Sequence, residues 1–232
     1  MEFKKKIQIA IDGPVASGKS TGAFLLAKKL GILYIYTGAM YRAVAWLAVK
    51  NNFDFKNEDA INDLLKKTKL QLKKPSKKNH FCDVIINGAD ITNQLFNSEI
   101  SWGSSAVAVL PKIRKYLVKL QQKMAEDQSV VMEGRDIGSV VLPKADLKIF
   151  LTADLSVRAK RRFQQMKNGG EKVIYSEVLA ELKKRDFQDS ERSVDPLHPV
   201  DGAWILDTTS LTIGEEVELI IKKLIKNKLI SK

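Results

Sequence analysis

The 232-residue chain predicts an α/β fold: a five-stranded parallel sheet flanked by helices, with a small antiparallel insert and a helical lid. Three observations carry that expectation. Apolar, β-branched runs recur at 7–11, 33–36, 130–133, 147–151 and 204–207, with helical periodicity between them. A glycine-rich loop joins the first run to the first helical segment. One stretch, 69–100, breaks the alternation and has a period near two.

The first run, Ile7-Gln8-Ile9-Ala10-Ile11, ends in Asp12 and runs into Gly13-Pro14-Val15-Ala16-Ser17-Gly18-Lys19-Ser20, followed by Thr21. This is a complete G-x-x-x-x-G-K-[ST] loop. Ala23–Leu30 then reads as a helix, so the motif stands in the strand–loop–helix context it requires. Backbone N–H groups turned inward make an anion nest, and a helix N-terminus adds its positive end. Lys19 is placed to reach β/γ-phosphates and Ser20 to ligate Mg²⁺. The chain is thus expected to bind a nucleoside triphosphate.

The second strand, 33–36, runs into Thr37-Gly38. Within 69–100, Leu70-Gln71-Leu72, a Lys/Pro/Ser turn, Val84-Ile85-Ile86 and Asn87-Gly88 predict a hairpin-like insert of the kind that grips a substrate. Residues 111–125 place Ile113, Leu117, Leu120 and Met124 on one helix face, and 213–225 do the same with Ile213, Val217, Ile220 and Leu224. Ala153–Glu171 carries Arg158, Arg161 and Arg162 and ends in Asn168-Gly169-Gly170. A basic helix with a flexible end fits a hinged lid.

Composition narrows the class. The chain is 44% hydrophobic and 28% charged, as in ordinary globular proteins. No stretch approaches the ~18 apolar residues of a membrane span, and no signal peptide is expected. Cys82 is the only cysteine, so a reducing, cytoplasmic setting fits and a half-buried strand position suits it better than a nucleophilic role. The two histidines, His80 and His198, suggest no metal site. The net charge of +12 raises nucleic acid as a partner, but aromatics are only 7% and scattered. The arginines gather at 135, 158, 161–162, 185 and 192. Their planar forks suit a small polyanion.

In an open α/β sheet, ligands bind at the C-terminal ends of the strands. Those ends carry Asp12, Tyr36-Thr37-Gly38, Glu133-Gly134-Arg135-Asp136 and Thr152-Ala153-Asp154. A kinase needs such a set: a donor phosphate loop, several arginines and a site that excludes water.

Four blocks make the chain familiar: Thr37-Gly38-Ala39-Met40-Tyr41-Arg42, Glu133-Gly134-Arg135-Asp136-Ile137-Gly138, Lys184-Arg185-Asp186-x-x-Asp189-Ser190-x-Arg192, and Asp207-Thr208-Thr209-Ser210-Leu211-Thr212-Ile213. Together they resemble bacterial cytidylate kinases, in order and spacing, over nearly the whole chain. The resemblance implies a P-loop kinase that moves the γ-phosphoryl of ATP to CMP and dCMP with Mg²⁺. It implies a core of 1–68 and 101–232, a lid at about 155–171, and a nucleoside-monophosphate-binding insert at 69–100. Gly13–Thr21 would hold the ATP phosphates. Lys19, Arg135, Arg158, Arg161 and Arg162 would be catalytic. Arg42, Arg135 and Arg192 would hold the CMP phosphate, with Thr37 near the acceptor. Ser105, Arg114 and Asp136 would read cytosine, and Arg185 with Asp189 would bind the sugar hydroxyls. A monomer without nucleic-acid or membrane partners is expected.

The hydrogen-bonding pattern of cytosine agrees with these roles. Cytosine offers an N4 amino donor to a carboxylate and N3/O2 acceptors to an arginine. Uracil reverses positions 3 and 4 and leaves such a site unpaired. The chain departs from the family pattern at Tyr36 (usually aspartate), Phe96 (usually arginine) and Gly22 (usually larger). A kinase acting on another small molecule, such as UMP, is the alternative, and a basic nucleic-acid-binding protein the more distant one.

Overall fold

The computed structural model describes residues 2–78 and 80–231. In chain order it contains β1 (Glu2–Phe3), β2 (Gln8–Asp12), α1 (Lys19–Leu30), β3 (Leu33–Tyr36), α2 (Thr37–Lys50), α3 (Glu58–Lys66), β4 (Leu70–Lys73), β5 (Asp83–Ile86), β6 (Ala89–Asp90), α4 (Ser98–Val107), α5 (Pro111–Ala125), β7 (Val130–Gly134), β8 (Leu147–Thr152), α6 (Leu155–Asn168), α7 (Tyr175–Glu191), β9 (Trp204–Asp207), α8 (Ile213–Lys226) and β10 (Ile230–Ser231). A short 3₁₀ turn covers Thr92–Gln94 and a π-turn covers Ile137–Val141. Among the described residues no helix is long and apolar enough to cross a membrane.

The expected five-stranded parallel sheet is present, in the order β3-β7-β2-β8-β9. Its strands are the five apolar runs. β2 lies at the centre, with Ile9 paired to Val131 on one side and Leu147 on the other. It is covered on both faces, which is why it reads as a continuous apolar run. At the edge, β9 leaves Ile205 exposed. β1 and β10 form a separate antiparallel pair.

The chain divides into two compact units, Met1–Tyr34 with Asp127–Lys232, and Ile35–Glu126. In the first, α1 and α8 pack on β2 and β8 through Leu26, Ile149, Leu151, Val217, Ile220 and Leu224. α1 starts one turn earlier than its apolar pattern, at the end of the loop. It stops at Gly31, whose left-handed φ of 70° lets its N–H reach the Ala27 and Lys28 carbonyls. α8 opens on a reciprocal Thr212/Glu215 capping box. A second small core joins α6 and α7 through Ala159, Val178 and Leu182, with Val15 against it.

In the second unit the small antiparallel sheet has the order β4-β5-β6. Leu70 pairs with Ile86 and Lys73 with Asp83. Asn87 and Gly88, both at positive φ, form the two-residue turn into β6. Cys82 is buried just before β5. α5 matches the expected 111–125, with Ile113 and Leu117 fully buried. Arg114 and Gln121 are buried beside them, which an apolar pattern does not foresee.

Candidate functional site

The phosphate loop follows from backbone geometry. A Cβ on Gly13 would lie 2.1 Å from the Leu151 carbonyl oxygen, so β8 passes too close for any side chain. Ala16 and Gly18 take φ of 60° and 100°, the alternation that turns successive N–H groups inward. α1 begins at once, adding its N-terminal dipole end. Lys19 is buried, and its Nζ donates to the Pro14 carbonyl at 2.9 Å. Burial, then the charge of Arg135, push its pKa down to about 7, against the pull of Glu133 and Asp189. Ser20 Oγ donates to Glu133 Oε1 at 3.1 Å.

Asp12, at the end of β2, anchors the segment that follows β7. Its carboxylate accepts the Ile137 and Gly138 N–H groups, each at 2.8 Å. Those bonds fix the π-turn, and with it Asp136 just before. Burial raises the Asp12 pKa to about 6 despite the two bonds; the charge of Asp136 adds to the rise and Lys19 opposes it.

The arginine cluster stands beside the loop in the same unit. Arg135 Nε donates to Asp189 Oδ2 at 2.7 Å. Burial pulls the Arg135 pKa down, but Asp189 foremost, then Glu133 and Asp186, hold it raised. The guanidinium is permanently charged. Burial pushes Asp189 up, yet Arg135, Arg185 and Arg192 keep its carboxyl below the ordinary range. Arg192 Nη2 lies 3.9 Å from Asp136 Oδ1, and Arg192 Nε donates to the Asp195 carbonyl at 2.6 Å. Arg185 and Asp189 share a face of α7, one turn apart.

The arginines of α6 are engaged. Arg158 is buried, ion-paired to Asp186 at 2.7 Å, and donates through Nη1 to the Val15 carbonyl at 3.2 Å. It braces the phosphate loop rather than lying on a solvated helix face. Arg161 Nη2 donates to the Thr208 carbonyl at 2.6 Å, and Thr208 Oγ1 donates to the Ser17 carbonyl at 2.9 Å. Arg162 reaches Gln165.

The second unit holds Thr37, Arg42, Ser105 and Arg114. Thr37 is buried at the start of α2. Arg42, one turn further, donates from Nη1 to Ser101 Oγ at 2.7 Å and the Leu95 carbonyl at 3.2 Å. Arg114 is buried on α5 and donates to the Ala108 carbonyl at 3.1 Å and Tyr41 Oη at 3.4 Å. Ser105 is half-buried on α4. Tyr36 packs edge-on to Phe81, 5.8 Å between centroids, and its ring fills the space beside Gly38.

Sequence reading missed the partners: Glu133 on Ser20, Asp186 on Arg158, Thr208 under Arg161 and Ser101 on Arg42. Glu133, Asp186 and Thr208 lie inside the motif blocks, so a signal existed for them; Ser101 carries none.

Comparison with known proteins bears on the whole chain. The cytidylate kinase family model matches residues 9–226. A cytidylate kinase of Caldanaerobacter subterraneus is 45% identical over 221 residues, 95% of this chain and 96% of that protein. One of Bacillus subtilis is 43% identical over 95% of this chain and 97% of its own length. Among solved structures, an uncharacterized protein from Eubacterium ventriosum shares the fold, with a TM-score of 0.54 at 16% identity, over 94% of this chain and 98% of its own. With the match running from the first sheet strand to the end of α8, this chain belongs to the cytidylate kinase family.

Proposed function

We propose that the protein transfers the γ-phosphoryl group of ATP to CMP and dCMP. The observation that supports this best is one constellation: a buried lysine in a phosphate nest, with Arg135, Arg185 and Arg192 balanced by Asp136 and Asp189 in the same unit. Two anionic reactants need that density of fixed positive charge, because their repulsion is the main obstacle to in-line transfer.

Residues 13–21 hold the donor phosphates. Lys19 leaves the Pro14 carbonyl for the β/γ-oxygens and takes up the charge that accumulates on them in the transition state. Arg42, Arg135 and Arg192 hold the acceptor phosphate, and Arg185 and Asp189 its sugar. Asp136 accepts from the cytosine amino group, with Ser105 and Arg114 completing the base reading. Residues 69–100 form the acceptor-binding insert. Residues 155–171 form the lid, whose Arg158, Arg161 and Arg162 serve the transferring group. The hydroxyl of Ser20 and the carboxylate of Glu133 are hard oxygen donors, which fits Mg²⁺. Bound there, Mg²⁺ would neutralise phosphate charge.

ATP turnover with CMP, dCMP, UMP and AMP side by side tests the reading. CMP and dCMP are expected to be the good acceptors. Equal or better turnover of UMP would overturn the cytosine assignment.

A further inference from the structure

Phe96 is a large apolar side chain left 50% exposed. It fills no core. Its position is nevertheless fixed from both sides: Leu95 is fully buried, and Asn97 caps α4 by accepting the Ile100 N–H at 2.8 Å. What the ring meets is Arg42, whose guanidinium carbon lies 5.5 Å from the ring centroid.

Arg42 is held on two sides. Its hydrogen bonds among the described residues leave from Nη1, to Leu95 and Ser101. The ring attracts the cation through its quadrupole and uses none of the five N–H donors. The Nε–Nη2 edge therefore stays open, and that edge is the fork that takes an oxyanion in two parallel bonds.

We propose that Phe96 is a positioning residue for the acceptor phosphate: its ring steadies the guanidinium of Arg42 so that the Nε–Nη2 edge is presented to the oxyanion. This rests on the assignment of Arg42 to that phosphate. A free arginine side chain loses rotamer entropy when it is fixed. Here most of that loss is incurred on folding, before the nucleotide arrives.

The test is steady-state kinetics on wild type, Phe96→Leu, Phe96→Tyr, Arg42→Ala and the Phe96→Leu/Arg42→Ala double variant, with thermal melts of each. Phe96→Leu is expected to raise KM for CMP about 2–5-fold, the size of an exposed cation–π contact. KM for ATP and the melting temperature should hold. Phe96→Tyr keeps a π-face and should behave as wild type. In the Arg42→Ala background the leucine should add nothing. An unchanged KM for CMP in Phe96→Leu overturns the proposal. So does a rise that persists without Arg42, since the ring then acts on the nucleotide itself. If Arg42→Ala leaves KM for CMP unchanged, the assignment of Arg42 has failed and the positioning role falls with it.

Discussion

Arg135 and Asp136 are neighbours in the chain with different partners, and they should fail differently. Arg135 is bound to Asp189 and carries a permanent charge. Its proposed ligand is a phosphate, which carries no base information. Arg135→Ala should therefore lower kcat/KM for CMP and UMP by the same factor. Asp136 stands between Asp12, which fixes its turn, and Arg192. Its carboxylate suits the cytosine amino group alone. Asp136→Ala should narrow the CMP/UMP ratio by ~10-fold or more, within the 1–3 kcal/mol of a hydrogen-bonded base contact. An unchanged ratio would show that Asp136 only pairs with Arg192. Lys19 gives a second residue-scale prediction. Its pKa of about 7, lowered chiefly by burial, leaves it partly neutral near pH 7.5 without ligand. Donor phosphates favour the ammonium, so ATP binding should take up a proton at Lys19. ATP affinity should then weaken as pH rises above about 7. Calorimetry in buffers of different ionisation enthalpy measures the uptake, and Lys19→Met should abolish it. Equal proton counts for the two proteins would mean that Lys19 is already charged.

At the scale of elements, α1 and α8 meet through an unexpected pair. Glu216 is 1% exposed, and its Oε1 has no hydrogen-bond partner among the described residues. It fits because Gly22 has no side chain: a Cβ there would lie 1.9 Å from Oε1 and 2.8 Å from Cδ. Alanine is favoured over glycine in a helix by about 1 kcal/mol. Here the methyl strikes a buried carboxylate, so Gly22→Ala should destabilise. In a Glu216→Ala background the same change should stabilise by about 1 kcal/mol. Denaturant unfolding of the four-member cycle should give a coupling of at least about 1 kcal/mol; additivity would mean that Glu216 moves aside freely. The pair also marks where sequence reading stops. Val217, Ile220 and Leu224 are legible as the buried face of α8 because periodicity is local. Glu216 is not, because its burial depends on an absent side chain on another helix. Lys19, Arg135 and Arg192 are legible because their motifs are contiguous. Their tertiary partners depend on how distant segments meet, and Ser101 has no motif at all. Phe96 and Tyr36 are visible as departures, but only the structure gives each ring its neighbour.

For the molecule as a whole, three buried groups among the described residues, Glu216, Asp12 and Lys19, are shifted toward neutrality and should shape the pH dependence of the nucleotide-free state. Glu216 is raised by burial to about 7, with Arg161 opposing, and Asp12 by burial to about 6. The folded state therefore holds both protons more tightly than the unfolded chain. Their stabilisation is fully present below about pH 4 and is lost as pH rises through about 6 and 7. Lys19 works the other way. Its folded pKa is depressed, so its protonated form costs stability at and below about pH 7, and that cost is relieved as pH rises toward 10.5. The two trends cross near neutrality. Stability should fall by about 2 kcal/mol from pH 5.5 to 7.5, the Lys19 gain offsetting part of the carboxyl loss, and then recover toward pH 9. Glu216→Gln keeps the shape without the titration and should remove a large part of the fall while leaving the recovery. ATP should stabilise most near and below the minimum, where it supplies Lys19 with the counter-charge that burial withholds. Thermal or denaturant unfolding at pH 5.5, 7.5 and 9, with and without ATP, measures all of this. A curve flat across that range in wild type, or one that Glu216→Gln leaves unaltered, would show that Glu216 is solvated on folding and that the pH response arises elsewhere.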